Sequence, residues 1–327
     1  MALSFPRWRL PKFSGRELRF LQTILNDYRR RIVPAPQKPD PASWRDDQIT
    51  AAWIGHATVL INFYGVNILT DPVLSARAGL PVGPLTIGPK RYVAPALRFA
   101  DLPPIDLILL SHAHMDHFDL ATLRRFDRRP LVVTAHSTAD LLQRTRLSQH
   151  VNELSWGEQL RLKFSRSPLA ATVDRGEIEI EAFEVRHWGA RMRTDDHRGY
   201  NGYMIRRGGA AILFAGDTAF TPTFRRLRGR GGKDGTFDLG IMPIGAYDPW
   251  ITNHCTPEEA VQMADLAGAR FLLPVHHQTF KLSYEPMDEP IRRFEQALAN
   301  TPERVAVRAV GETFRLPGKP ATVSRQP

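Results

Sequence analysis

The chain of 327 residues contains a single cysteine, Cys255, and no long uninterrupted apolar run. One cysteine excludes an intrachain disulfide and fits a reducing compartment. A membrane-spanning helix would need about 18 consecutive apolar residues, and none occur. The first residues, MALSFPRWRLPKF, also lack the apolar core of a signal peptide. We therefore expect a cytoplasmic protein, soluble or attached peripherally to the inner membrane face.

The basic charge is unevenly distributed. Residues 1–45 contain ten Lys/Arg and three Asp/Glu, which gives +7, whereas the remaining 282 residues contain 34 and 31, which gives only +3. A nucleic-acid enzyme more often distributes its basic residues around its active face. We therefore expect no nucleic-acid partner.

The basic N-terminal segment has the pattern of an amphipathic helix, with Leu18, Leu21, Ile24, Leu25 and Tyr28 at helical spacing among arginines. Such a helix either lies on an anionic membrane surface or packs on its own domain with its arginines solvated, and the sequence leaves both open. A proline-rich segment, 34–43, follows it. We divide the chain into a basic arm and linker (1–45), a main domain (46–316) and a loose tail (317–327).

Short apolar runs alternate with helical patterns along the main domain. This alternation predicts an α/β layered fold. A Gly/Pro-rich loop, 75–92, has a length that usually accompanies function. Strands are predicted in the apolar stretch 51–63, in VNILTDP, and at 105–110, 131–134, 177–185, 210–214, 239–243 and 271–275. Helices are predicted at 120–126, 256–266 and 290–299.

The stretch SHAHMDHFD, 111–119, follows the apolar run 105–110 and concentrates potential metal ligands. Neutral imidazoles and carboxylates are ligands of zinc. His112 and His114 are two residues apart and point the same way in an extended loop, whereas Asp116 and His117 face a slightly different direction. One metal cannot use all four and keep an open position, so the spacing indicates two metals.

Three further candidates follow apolar runs elsewhere: His187 after IEIEAFEVR, Asp217 after AILFAG, and His276 after RFLLPV. A lone histidine at a strand end is more often a surface or core residue than a ligand. Here, however, every candidate stands at the carboxyl end of a predicted strand, which would place all of them at one edge of a sheet. His136, His150 and His197 have no comparable setting.

The order of HxHxDH, a strand-end histidine, an AGD aspartate and a final strand-end histidine resembles the metallo-β-lactamase superfamily. The motifs WIGHATVLI, LTDPVLSARA, GPKRY, PIGAYDP and TPEEAV resemble one branch, the N-acylphosphatidylethanolamine-hydrolysing phospholipases D and their bacterial relatives. The likeness extends from about Trp53 to Phe280. It implies an αββα four-layer sandwich with a two-metal site at one edge.

The resemblance also implies a ligand set and a reaction. The donors are nitrogen and oxygen, which suits two zinc ions, with iron or manganese as alternatives. A metal-bridging hydroxide would cleave N-acylphosphatidylethanolamine into an N-acylethanolamine and phosphatidic acid. The implied first metal is held by His112, His114 and His187, and the second by Asp116, His117 and His276, with Asp217 bridging; the implied catalytic residues are Asp217, His254 and Asp116.

Around this set, several roles stay open. Asp71 either orients a ligand or only forms a turn before Pro72, and His56 either lines the mouth of the site or does not. The family commonly reads HWGTF where this chain reads HHQTF, so His277 is interpreted as a pocket or surface residue. Cys255 is interpreted as a buried small residue, and because Asp217 stands where zinc β-lactamases have cysteine, antibiotic hydrolysis is not expected.

Partners and competing functions follow from the resemblance, from the basic arm and from the net charge. The resemblance implies a phospholipid substrate and is consistent with a homodimer, and contact with an anionic membrane surface is one of the two alternatives left open for the basic arm. The alternatives are a hydrolase of soluble substrates, such as a sugar-phosphate lactonase or another phosphodiesterase, a nuclease, and a metal-binding protein without turnover.

Overall fold

The computed structural model describes residues 15, 27, 29–83, 85–127, 129–166, 173–192 and 194–316. The predicted helix of the basic arm falls almost entirely outside these residues, and so does the tail 317–327. Both therefore stay predictions. Within the described part of the chain, no helix has the length and apolar character needed to cross a membrane.

Two mixed sheets form the centre of the domain. The first has seven strands in the order β15-β1-β2-β3-β6-β7-β8, with β3, β6, β7 and β8 parallel to one another. Its strands β1 and β2 are completely buried, which explains their continuous rather than alternating apolar sequence. The strands are β1 (Ile49–Gly55), β2 (Thr58–Phe63), β3 (Val66–Thr70), β6 (Leu107–Leu110), β7 (Leu131–Ala135), β8 (Val151–Leu154) and β15 (Thr313–Arg315).

The second sheet has six strands in the order β14-β13-β12-β11-β10-β9, with β12, β13 and β14 parallel. A separate hairpin, β4 (Leu80–Val82) and β5 (Leu85–Ile87), lies outside both sheets. The six strands are β9 (Gln159–Arg166), β10 (Val173–Phe183), β11 (Gly202–Arg207), β12 (Ala210–Phe214), β13 (Phe237–Pro243) and β14 (Ala269–Val275).

The main core lies between the two sheets, where residues such as Trp53, Ile61, Ile212 and Ile241 pack together. Helices α2 (Pro257–Ala267) and α3 (Glu289–Ala297) cover the outer face of the second sheet. The short helix α1 (Leu120–Leu123) packs on the outer face of the first. These four layers confirm the predicted αββα sandwich.

Several predicted boundaries need correction. The apolar stretch 51–63 is two strands rather than one, because the chain reverses at His56, which has a φ of 54°. The predicted helix 120–126 ends at Leu123, and the loop 75–92 contains the hairpin β4–β5. Strand β10 ends at Phe183, four residues before His187 rather than at it. Strand 210–214 and helix α2 agree closely with the prediction.

The proline-rich segment follows the surface of the main domain. The Val33 amide donates to the Tyr92 carbonyl at 2.9 Å, and the Ala94 amide donates to the Val33 carbonyl at 2.8 Å. Arg30 donates to the carbonyls of Lys90 and Arg91 and stacks over Tyr92. Arg30 and Val33 are therefore fixed against the domain just before the proline-rich segment, and within that segment the Gln37 amide donates to the Val310 carbonyl at 3.3 Å.

Candidate metal centre

The candidate ligands lie at one edge of the sandwich, where the parallel strands of both sheets end. His112 follows β6, Asp217 follows β12 and His276 follows β14 directly. Carboxyl ends of parallel strands meet at a common edge, which is why positions far apart in sequence converge. The structure brings all seven predicted ligands into this one cluster.

The first group of donors consists of three imidazoles. His114 Nδ1 lies 2.8 Å from His112 Nε2 and 3.3 Å from His187 Nε2. In two of the three rings the opposite nitrogen is engaged elsewhere: His187 Nδ1 donates to the Asn253 carbonyl, and His112 Nδ1 contacts Ser111 Oγ, which itself donates to Asp71. The inward nitrogens of His112 and His187 therefore carry free electron pairs, as metal ligands must.

The second group lies beside the first and consists of Asp116, His117 and His276. His276 Nε2 is 3.4 Å from Asp116 Oδ2, and His117 Nε2 is 3.6 Å from the same oxygen. His117 Nδ1 donates to Asp71 Oδ2 at 2.7 Å, so its Nε2 faces the cluster. Asp71 is fully buried and also accepts from the Ser111 amide and hydroxyl. Its contacts are those of an orienting carboxylate.

Asp217 stands between the two groups. Its Oδ2 lies 3.0 Å from His276 Nε2, 3.1 Å from His117 Nε2 and 3.9 Å from His187 Nε2. The preceding Gly216 has a φ of 60°, and a Cβ there would approach the Asn201 carbonyl oxygen and Ser111 Cβ to 2.8 Å. Only glycine can adopt this backbone conformation in the space available after β12. The resulting turn directs Asp217 into the cluster.

The charge pattern of the cluster fits bound cations. Burial by itself would lower the pKa of His276, but the Asp217 carboxylate and its hydrogen bonds raise that pKa to about 9. The pKa of His117 is also raised against its burial, by Asp217 and Asp116. Asp217 Oδ1 is buried and has no hydrogen-bond partner within the described part of the chain. The carboxylates stabilise positive charge on the neighbouring imidazoles, and they would stabilise a bound cation in the same way. The nitrogen and oxygen donors of the cluster therefore fit two metal ions.

His254 and Cys255 lie near the cluster, just before helix α2. His254 Nδ1 is 3.8 Å from Asp217 Oδ2, and burial lowers the pKa of His254 to about 4. Cys255 is buried with its thiol on the Pro243 carbonyl, which confirms its interpretation as a buried small residue. A capping box formed by Thr256 and Glu259 fixes the start of the helix and the direction of the preceding loop.

His277 is buried rather than exposed. Its ring stacks on Trp53 with centroids 4.5 Å apart. Burial lowers the pKa of His277 to about 3. The side chain therefore packs against an aromatic residue of the core, beside the site.

Two features of the site escaped the sequence reasoning. Arg191 donates from one nitrogen to the carbonyls of Ala113 and Phe118, both at 2.8 Å, and so connects the two ends of the HxHxDH loop. Trp188 and Trp250 are exposed and line the mouth. The adjacent His187 was a signal for Trp188, whereas nothing in a single sequence marks Arg191.

The mouth above the donors is a pocket of about 290 Å³. Its floor is polar and its walls include apolar side chains. The lining residues are His114, Met115, Asp116, Trp188, Asp217, Ala246, Trp250, His254, His276 and Leu282.

Comparison with known proteins places this fold and site in a class. Residues 66–277 match the family model described as Beta-lactamase superfamily domain, and the chain belongs to that family. It is a metal-dependent hydrolase with the metallo-β-lactamase fold.

The most similar curated proteins include members with a named activity. The chain is 33% identical over 257 residues to N-acyl-phosphatidylethanolamine-hydrolyzing phospholipase D 1 of Caenorhabditis elegans, covering 73% of this chain and 68% of that protein. It is 31% identical over 252 residues to the mitochondrial enzyme of the same name from Saccharomyces cerevisiae, covering 74% of this chain and 50% of the other. An uncharacterized Mycobacterium tuberculosis protein is 32% identical, covering 85% and 71%.

Solved structures share the fold at low identity. Isothiocyanate hydrolase from Delia radicum gut bacteria superposes with a TM-score of 0.60 at 17% identity, covering 82% of this chain and all of that one. The diiron beta-hydroxylase CmlA of Streptomyces venezuelae gives 0.53 at 21% identity, covering 80% and 52%. The fold therefore occurs with more than one chemistry, and it does not identify the metal.

Proposed function

We propose that this protein is a phospholipase D-type phosphodiesterase that hydrolyses N-acylphosphatidylethanolamine to an N-acylethanolamine and phosphatidic acid. The observation that carries the proposal is a polar His/Asp floor beneath a mouth with two exposed tryptophans. This arrangement suits a substrate with a phosphate at one end of an apolar body. The named activity of the nematode and yeast relatives supports the same substrate class.

In this proposal two metal ions occupy the cluster, with zinc favoured by the nitrogen and oxygen donors. Bound there, divalent metals would supply Lewis-acid polarisation of the phosphate and lower the pKa of a water molecule. His112, His114 and His187 would hold one ion, Asp116, His117 and His276 would hold the other, and Asp217 lies between the two groups of donors.

Asp217 has a second oxygen, Oδ1, that accepts no hydrogen bond from the residues that the structure describes. We assign it the role of accepting a hydrogen bond from the attacking water and so fixing its direction. Asp71 prevents rotation of His117 through their 2.7 Å hydrogen bond. Fixed donors of this kind reduce the rearrangement needed when the phosphate reacts.

His254 lies in the lining of the mouth and is neutral at pH 7, because burial lowers its pKa to about 4. Neighbouring cations would lower that pKa further. A neutral imidazole donates a hydrogen bond to a phosphate oxygen better than it supplies a proton to a leaving group. We therefore assign His254 to holding a non-bridging phosphate oxygen.

The mouth also suits a lipid aggregate. Trp188, Trp250 and Ile251 are between 39% and 47% exposed, and tryptophan is favoured at membrane–water interfaces. We propose that this rim contacts the lipid surface while the phosphate enters the pocket. The basic arm would add attraction to anionic lipid, although most of its residues lie outside the described ranges.

The decisive experiment offers metal-loaded protein N-acylphosphatidylethanolamine in mixed micelles, with a soluble phosphodiester and a lactone in parallel reactions. Mass spectrometry should detect N-acylethanolamine, and ¹⁸O-water should label the phosphatidic acid because attack occurs at phosphorus. The matched controls are Asp217→Asn, expected to be inactive, and the exposed His197→Ala, expected to behave as wild type. Turnover of only the soluble phosphodiester or the lactone would reject the lipid substrate while retaining the hydrolase.

A further inference from the structure

His56 lies outside the implied ligand set, yet it contacts the candidate centre. It forms the tight turn between β1 and β2, and its side chain is 1% exposed. Its Nε2 lies 2.9 Å from Asp116 Oδ2. Asp116 carries no proton in a metal-binding site, so the imidazole must be the donor in this contact. A nitrogen that carries this hydrogen has no electron pair for a metal.

The main chain of His56 is fixed from both sides. Its amide donates to Thr279 Oγ1 at 2.7 Å, and its carbonyl accepts from Trp53 Nε1 at 2.7 Å. The same carbonyl accepts from the His276 amide at 3.1 Å. His276 has a φ of 65°, a strained conformation for a non-glycine residue, and the bond to His56 helps to hold it.

The ring of His56 is also confined. Its centroid lies 4.3 Å from the His276 ring and 5.0 Å from the Phe280 ring, with Phe280 approaching nearly perpendicular. The ring therefore cannot turn away from Asp116 without displacing a neighbour. Asp116 is 16% exposed in a loop, so burial alone does not fix its carboxylate.

We propose that His56 is a positioning residue for the second metal, holding Asp116 through its ring and His276 through its carbonyl. The proposal rests on the proposed metal centre and makes His56 the residue that joins the β1–β2 turn to two loops far apart in sequence. Orienting partners of metal ligands typically contribute about 10–100-fold in metal affinity.

The test compares two variants of similar size. His56→Leu fills the space without a donor, and His56→Gln places an amide N–H at a similar reach from the backbone. Zinc binding is measured by competition with a chromophoric chelator and by metal analysis after dialysis. Far-UV circular dichroism checks folding, and the exposed His197→Ala controls for simple loss of a histidine.

We expect His56→Leu to keep one tight zinc and to bind the second about 10–100-fold more weakly, with His56→Gln close to wild type. Wild-type affinity in folded His56→Leu would overturn the proposal. A Gln variant that folds but is as weak as the Leu variant would also overturn it, because a ligand rather than a donor would then have been lost. If His56→Leu fails to fold, His56→Asn takes its place, because its shorter amide cannot reach Asp116 whereas the Gln amide can. If the wild-type protein binds fewer than two metals, the two-metal centre is rejected, and this role of His56 with it. If it binds two metals but does not hydrolyse the lipid, only the proposed substrate is rejected.

Discussion

Metal binding at the second position should depend strongly on pH. In the metal-free protein, burial would lower the pKa of His276, but the Asp217 carboxylate and the hydrogen bonds to Asp116 and Asp217 together raise it to about 9. A metal ligand must be a neutral imidazole, so below that pH one proton must leave His276 when the metal binds. The apparent affinity should therefore rise about tenfold per pH unit, or roughly 100-fold between about pH 6.5 and about pH 8.5. The raised pKa of His117 adds a second proton and steepens the dependence.

The first position provides an internal control. Burial lowers the pKa of His114 to about 4 and lowers the pKa values of His112 and His187 as well, so these ligands are already neutral. Zinc there should bind with little pH dependence over the same range. Chelator competition gives the two affinities, and calorimetry in buffers of different ionisation enthalpy counts the released protons. An affinity at the second position that stays flat above about pH 7.5, as an ordinary histidine pKa near 6.5 requires, would refute the reasoning.

Three further predictions concern single contacts. Asp71→Asn should weaken zinc binding by about 10–100-fold in chelator competition, because His117 loses its carboxylate partner; unchanged affinity would contradict the orienting role. Arg191→Ala should lower the free energy of unfolding by about 1–3 kcal/mol in urea denaturation, because the Ala113 and Phe118 carbonyls lose their donor. Amide hydrogen exchange in the HxHxDH loop should become faster. Unaltered stability and exchange would count against this role of Arg191. Trp188→Ala combined with Trp250→Ala should reduce turnover of micellar lipid severalfold while sparing a short soluble phosphodiester, and equal losses on both substrates would argue against a lipid-facing rim.

The sequence was informative where one local rule dominated. Strand β12 and helix α2 agree closely with their predictions, because a pure apolar run and a Thr-Pro-Glu-Glu cap each specify one conformation. The stretch 51–63 was predicted as one strand because two completely buried strands have no alternation, and the turn at His56 is marked only by the single Gly55 before it. The predictions omitted strands β8, β9, β11 and β15, although the alternation of polar and apolar residues in β9 is itself a strand pattern.

The same contrast applies to the site. Spacing within HxHxDH and the recurrence of His or Asp after apolar strands indicated seven candidate ligands, because parallel strands end at a common edge. Nothing in the spacing could assign Asp71 to His117, His56 to Asp116 or Arg191 to the loop carbonyls. Those pairs are between 46 and 78 positions apart and meet only when the layers pack.

The sequence alone therefore determined the types of donor and their common edge, since side-chain chemistry and strand direction are local properties. The tertiary structure decided which nitrogen of each imidazole faces the centre, how each donor is held, and that His277 is stacked on Trp53 in the core. These depend on contacts between distant segments. Burial then decided the protonation of the cluster, because low-dielectric surroundings make each histidine respond to the carboxylates beside it.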